Sequence, residues 1–131
     1  MFGDLAVTTP NFVREDARGL FVEILNGGGW ETVIHGSMQT GAELGNHYHR
    51  DCNAFFYLLR GEAEVSVRQI DENSVRVAKL QAREGVWFKP LETHRIVFLA
   101  DADFLLLKDK PFDKDAPDLH PCPVSPAEEQ A

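Results

Sequence analysis

A chain of 131 residues with 44% hydrophobic and 26% charged side chains suits one soluble domain able to bury a core of its own. Its 13 basic against 21 acidic residues give a formal charge of −8, and like-charge repulsion then opposes a nucleic-acid backbone as partner. The longest apolar run, residues 54–59, is far too short to cross a bilayer, so no membrane partner is expected either.

The chain opens on Met1-Phe2-Gly3-Asp4, without the basic and apolar regions of a secretory signal, and a cytoplasmic location is expected. In Asp16-Ala17-Arg18-Gly19-Leu20-Phe21-Val22-Glu23, Arg18 stands before a glycine, where its fork can meet a phosphate at close backbone approach. Phe21 and Glu23 fall on one face of the strand predicted over 20–25. The same residues also suit a turn-capping Asp, a surface Arg and a strand with one buried Phe. Asn26-Gly27-Gly28-Gly29 then turns the chain into a strand over 30–38.

Residues 54–59 are apolar on both faces, which a strand with one face in water does not require. The cover expected for the outer face is a second copy of the chain, so a homodimer is predicted; a second layer of the same chain is the alternative. Residues 64–80 read as strand, polar turn and strand, a hairpin. Further strands are predicted over 85–88, 95–99 and 104–108. Period-2 alternation recurs while helical periodicity is never sustained, so the fold is all-β, a sandwich or barrel. Five of the seven prolines lie from Pro111 onward, marking residues 111–131 as a clamp or tail beyond a body of residues 1–110. Cys52 and Cys122 are the two cysteines, expected as free thiols in a reducing compartment.

His47 and His49 are two apart, so a strand projects both imidazoles from one face and Tyr48 from the other. They sit in a frame of Gly41, five residues, His47, one residue, His49, four residues, Ala54, six residues and Gly61. That frame resembles the first motif of the cupins, and Gly85, Trp87, Pro90 and His94 resemble the second. The resemblance implies a single-domain cupin barrel, a double-stranded β-helix or jelly roll, with His47, His49 and His94 converging inside it. The sequence departs from the family pattern at Ala54, where most cupins carry a glutamate ligand, and at Glu92, close to where a glycine usually falls. Three histidines with open positions suit a catalytic divalent ion such as zinc, nickel or iron. A metal-free site, whose histidines act as acid, base or hydrogen-bond donors, is the alternative. Asp51 and Cys52 are read as a loop carboxylate and a small buried thiol, and His35 and His120 as structural or surface histidines.

The stretch from Asp16 to Glu23 is similar to the N-terminal signature of cupins that act on nucleotide-linked keto sugars, the dTDP-4-dehydrorhamnose 3,5-epimerases and 3,4-ketoisomerases. A nearer likeness, through Arg18-Gly19, Glu23-Ile24-Leu25, Gly45 to His49, Thr93-His94, Pro111-Phe112 and Pro117-Asp118, is to the C-terminal cupin domain of bifunctional capsular-polysaccharide enzymes. The resemblance implies a nucleotide-linked sugar as substrate, held by Arg18, Phe21 and Glu23. It also implies an epimerase or ketoisomerase that removes a proton next to the carbonyl of a 4-keto sugar, with His49 and His94 as catalytic residues. Two other functions fit the residues: a three-histidine iron dioxygenase, and a non-catalytic cupin that only binds a sugar nucleotide.

Overall fold

The computed structural model describes residues 2–125. The strands are β1 (Phe2–Asp4), β2 (Phe12–Asp16), β3 (Gly19–Glu23), β4 (Thr32–Met38), β5 (Glu43–Tyr48), β6 (Ala54–Arg60), β7 (Glu62–Gln69), β8 (Val75–Gln81), β9 (Glu84–Phe88), β10 (Glu92–Phe98), β11 (Ala102–Lys108) and β12 (His120–Pro121). Among the described residues there is no helix, and so none long and apolar enough to cross a membrane. Two sheets face each other across the core, one of six strands in the order β1-β8-β7-β10-β5-β12 and one of four in the order β4-β11-β6-β9. The fold is a cupin-type jelly roll. β2 and β3 pair with each other as a separate two-stranded ribbon.

The core follows strand parity. Ala54, Phe56 and Leu58 of β6, Val65 and Val67 of β7, Ile96 and Phe98 of β10, and Ala102 and Phe104 of β11 meet in one buried cluster. Each large apolar side chain taken fully out of water contributes about 1.5–3 kcal/mol. The predicted strands are present with shifted ends, and β1, β2, β12 and the start of β10 were not anticipated. Glu92 and Thr93, just before the strand predicted over 95–99, are both buried strand residues. The Glu92 carboxylate accepts from Arg76, from Gln69 Nε2 at 3.3 Å and from the Lys89 amide at 2.8 Å. The Thr93 hydroxyl donates to the Cys122 carbonyl. With partners for their polar atoms, the two residues can enter a sheet interior at little cost.

The outer face of β6 corrects one expectation. Phe55 and Tyr57 are 0% and 2% exposed in the single chain, so they need no second copy to cover them. The Phe55 ring lies 4.9 Å from Trp87, which in turn lies 5.5 Å from Trp30. The N-terminal stretch crosses beside them, with Thr8 bridged to Gly85. Alternation showed that this face is dry but could not say which residues dry it; only Leu59, at 38% exposed, remains open.

Beyond β11 the chain returns over the barrel. β12 pairs with β5, His120 opposite Tyr48 and Pro121 opposite His47. The buried Arg68 guanidinium holds this strap by donating to the carbonyls of Val124 at 2.7 Å and Pro123 at 2.8 Å, and it ties the strap to the β7–β8 turn through the Glu72 carbonyl at 2.9 Å. The acidic end at Glu128 and Glu129, read as part of a tail, lies outside the described residues. Cys52 and Cys122 are both free thiols.

Candidate functional site

The site begins with a backbone irregularity. β5 and β10 pair antiparallel, His47 opposite His94 and Gly45 opposite Arg95, with a bulge at that step. Gly45 has φ 104° and Asn46 has φ 56°, the left-handed region that favours these residue types. A Cβ on Gly45 would lie 2.3 Å from the His94 carbonyl oxygen, so only glycine lets β5 approach β10 this closely. Asn46 is held in turn by the strap, its carbonyl accepting from the Cys122 amide at 2.8 Å and its Oδ1 from the Val124 amide at 3.1 Å. Bulges of this kind re-aim side chains.

They aim three imidazoles at one point. Ring centroids are 4.7 Å apart for His47 and His94, 5.4 Å for His47 and His49, and 5.5 Å for His49 and His94. One ligand atom from each lies within 4.8 Å of the others. Neither Asp51 nor Cys52 joins this group: the Asp51 amide is tied to Asp118, and the Cys52 thiol donates to the Asn53 carbonyl. His35 lies on β4, and His120 pairs with Asp118 at 3.0 Å, so both stand outside the cluster as expected.

The imidazoles are neutral at ordinary pH. Burial pushes His94 down to about 3, with His47 and His49 adding to the push. Burial likewise lowers His47 to about 4, again with His49 contributing, and it lowers His49 against the opposing hydrogen bond to Asp118. His94 stacks on Phe88 with ring centroids 4.1 Å apart, and its Nδ1 is buried with no hydrogen-bond partner. His49 is better held, its Nδ1 donating to the Asp118 carbonyl at 2.6 Å.

Three neutral imidazoles, one with an orphaned buried nitrogen, fit a divalent ion in the donor set that zinc, nickel and iron accept. The ligand atoms are near enough for small side-chain adjustments to reach bonds of about 2.0–2.1 Å. Ala54, at the position where the resemblance leads one to expect a glutamate, is fully buried between its cross-strand neighbours Phe88 and Lys108, and it offers no ligand.

His47 and His94 line a cavity of about 190 Å³, with Phe56, Phe88, Leu106 and Lys108. That is below the roughly 300–1,000 Å³ of pockets that enclose drug-sized ligands, so it suits one small ring with the remainder of a ligand outside. His49 faces a neighbouring pocket with Cys52, Lys108, Lys110 and Asp118. Sequence reasoning missed Lys108, which borders both spaces. Its only signal was parity: Phe104, Leu106 and Lys108 alternate along one strand, a pattern hidden by the leucines between them.

Arg18, Phe21 and Glu23 lie elsewhere, on the β2–β3 ribbon. Arg18 is exposed and paired with Asp16 at 2.8 Å, and Phe21 is 55% exposed beneath the Arg14 guanidinium. Phe21 and Glu23 line one groove with Trp30 and Leu107, as their shared face predicts. None of the three lines the cavity of the histidines. Within one chain the structure therefore brings the imidazoles together and leaves the ribbon apart from them.

A family model described as the polysaccharide biosynthesis C-terminal domain matches residues 14–120. The fold is similar to that of the capsular polysaccharide assembling protein CapF from Staphylococcus aureus, with a TM-score of 0.69 and 23% identity. That match covers 86% of this chain but 34% of CapF, so the chain spans about a third of its length. It is also similar to the rmlC epimerase of Mycobacterium tuberculosis, with a TM-score of 0.74, 16% identity and coverage of 95% of this chain and 80% of that one. A third similar fold is the QdtA 3,4-ketoisomerase of Thermoanaerobacterium thermosaccharolyticum, solved as a double mutant in complex with TDP. It has a TM-score of 0.70, 19% identity and coverage of 91% and 88%. No curated protein sequence matches the chain.

Proposed function

The chain belongs to the polysaccharide biosynthesis C-terminal domain family, and from that premise we propose that it modifies a nucleotide-linked 4-keto sugar, as an epimerase or ketoisomerase. The observation that supports this reading best is the cluster of three neutral imidazoles, two of which, His47 and His94, line a ring-sized cavity. The likeness of the fold to an epimerase and a ketoisomerase agrees with it.

The chemistry begins with a carbon acid. A proton on the carbon next to the carbonyl leaves for an imidazole, and the C–H electron pair moves to the carbonyl oxygen as an enolate. His49 is suited to be that base: its Nδ1 proton is committed to the Asp118 carbonyl, which leaves the Nε2 lone pair free. His94, neutral in its buried position, is the second residue assigned to proton transfer. Reprotonation of the same carbon from the other face gives an epimer, and reprotonation at the neighbouring carbon gives an isomer. The imidazole lone pairs serve as base in the metal-free site; with a divalent ion bound, His47, His49 and His94 would instead hold it, and it would polarise the carbonyl oxygen.

Arg18, Phe21 and Glu23 are assigned to the nucleotide end, Arg18 to the phosphates and the other two to the base. Because they stand apart from the histidines of their own chain, this assignment goes with a homodimer. The exposed apolar residues of the ribbon, Phe12, Val13, Leu20 and Phe21, support such an interface better than the covered face of β6 does. The two free cysteines agree with a cytoplasmic setting.

Proton NMR of a UDP- or dTDP-4-keto-6-deoxyhexose in heavy water tests the reading. The protein should catalyse exchange of a ring proton next to the carbonyl, and His49→Asn should abolish it. Nucleotide binding without exchange would leave a cupin that binds but does not react.

A further inference from the structure

Lys108 is the last residue of β11, and Ala54, its cross-strand partner, is the first of β6. Directly paired residues in a sheet point to the same side. Ala54 belongs to the buried core, and Lys108 continues the inward series of Phe104 and Leu106 on its own strand. Its side chain borders the cavity of His47 and His94 and also the pocket of His49. Among the described residues its ammonium has no hydrogen bond or ion pair, in a chain whose formal charge is −8. An inward-facing lysine is ordinarily paired.

We infer that Lys108 is the resident cation of the three-histidine site, standing on the side where Ala54 leaves no carboxylate and binding an oxyanion of the ligand there. The three imidazoles are uncharged, and although Lys110 also lines the His49 pocket, Lys108 is the cation that borders the cavity of His47 and His94. Such a site attracts an enolate or carboxylate oxygen and repels a divalent ion, because like charges in a partly buried setting interact more strongly than in water. On the keto-sugar reading, the oxyanion is the carbonyl oxygen as it gains the electron pair. Lys108 itself neither gives up nor takes a proton in this step.

Two titrations test the inference without relying on turnover. In the first, metal-stripped protein is titrated with oxalate while the imidazole signals of the three histidines are followed by NMR. Wild type and Lys108→Arg should show saturable shifts, and Lys108→Met should bind at least about tenfold more weakly, the loss of one charge-assisted contact. In the second, zinc is titrated by calorimetry. Lys108→Met should bind zinc about tenfold more tightly than wild type, and Lys108→Glu more tightly still, because it removes the repulsion and adds an oxygen ligand beside Ala54. A destabilised fold would weaken zinc binding, so a gain in affinity has no merely structural origin. No oxalate response in wild type, or wild type and Lys108→Met agreeing within about twofold in either titration, overturns the role of Lys108. Oxalate binding that depends on Lys108, in a protein that exchanges no sugar proton, overturns the keto-sugar reading and keeps the inference.

Discussion

The imidazole of His49 is oriented by the backbone carbonyl of Asp118, 2.6 Å from its Nδ1, and the side chain of Asp118 fixes that carbonyl in place. Its two carboxylate oxygens accept the amides of Arg50 and Asp51 at 2.7 and 2.9 Å, so one residue clamps both the ring and the turn that follows it. Outer partners of this kind typically account for a 10–100-fold effect on metal affinity or activity. Asp118→Ala should therefore weaken zinc binding by about tenfold, with Asp118→Asn intermediate because it keeps one acceptor. Calorimetry with zinc decides, and an unchanged affinity in Asp118→Ala would remove the residue from the site.

A second prediction concerns the position between Phe88 and Lys108. Ala54→Glu places a carboxylate against the Lys108 ammonium, so the new side chain is shared between an ion pair and a metal. Zinc binding should tighten only modestly in Ala54→Glu and by at least a further tenfold, about 1.4 kcal/mol, when Lys108→Met is added. Additive behaviour of the two substitutions would contradict their contact, since only neighbouring residues couple strongly.

The buried histidines set an acid limit. Their proton affinities are lowered on folding, to about 4 for His47 and about 3 for His94, from an unfolded value of about 6.5. Between those values the unfolded chain holds more protons than the folded one, so stability is intact above about pH 6.5 and falls as the pH drops toward 4. Urea midpoints should decrease from pH 7.5 to 4.5, and His94→Phe should show a shallower decrease. A flat profile for the native chain would mean that the imidazoles are not buried neutral.

For the nucleotide, Arg18→Ala should weaken dTDP or UDP binding by about 2 kcal/mol, the scale of a charge-assisted hydrogen bond. His49→Asn should leave that binding nearly unchanged, because the ribbon and the cavity are separate surfaces of one chain. Titration calorimetry with both nucleotides and both variants gives the comparison. No binding of either nucleotide at millimolar concentration would take away the phosphate role of Arg18.

Light scattering tests the oligomer. The expected mass is that of two chains, and Phe12→Ser with Phe21→Ser should shift the protein toward one chain by removing apolar area exposed on the ribbon. A native chain that is monomeric at micromolar concentration would rule out a stable dimer built on this face.

Alternation along the chain was enough for the all-β class and most strands, because side chains two apart share a face wherever a strand forms. The pairing of His47 with His49 was legible for the same reason, and the motif spacing added His94. The parts that were not legible depend on partners distant in sequence. Strand β2 is exposed at every position and shows no hydrophobic pattern, so only its pairing with β3 makes it a strand. That Phe55 and Tyr57 are covered by their own chain was decided by where Trp87 and the stretch around Thr8 come to rest. The separation of Arg18 from the histidines, the carbonyl of Asp118 against His49 and the place of Lys108 beside Ala54 were likewise tertiary outcomes. A sequence fixes which way a side chain faces relative to its neighbours on the strand, but which groups it meets there is set only when the strands find their register.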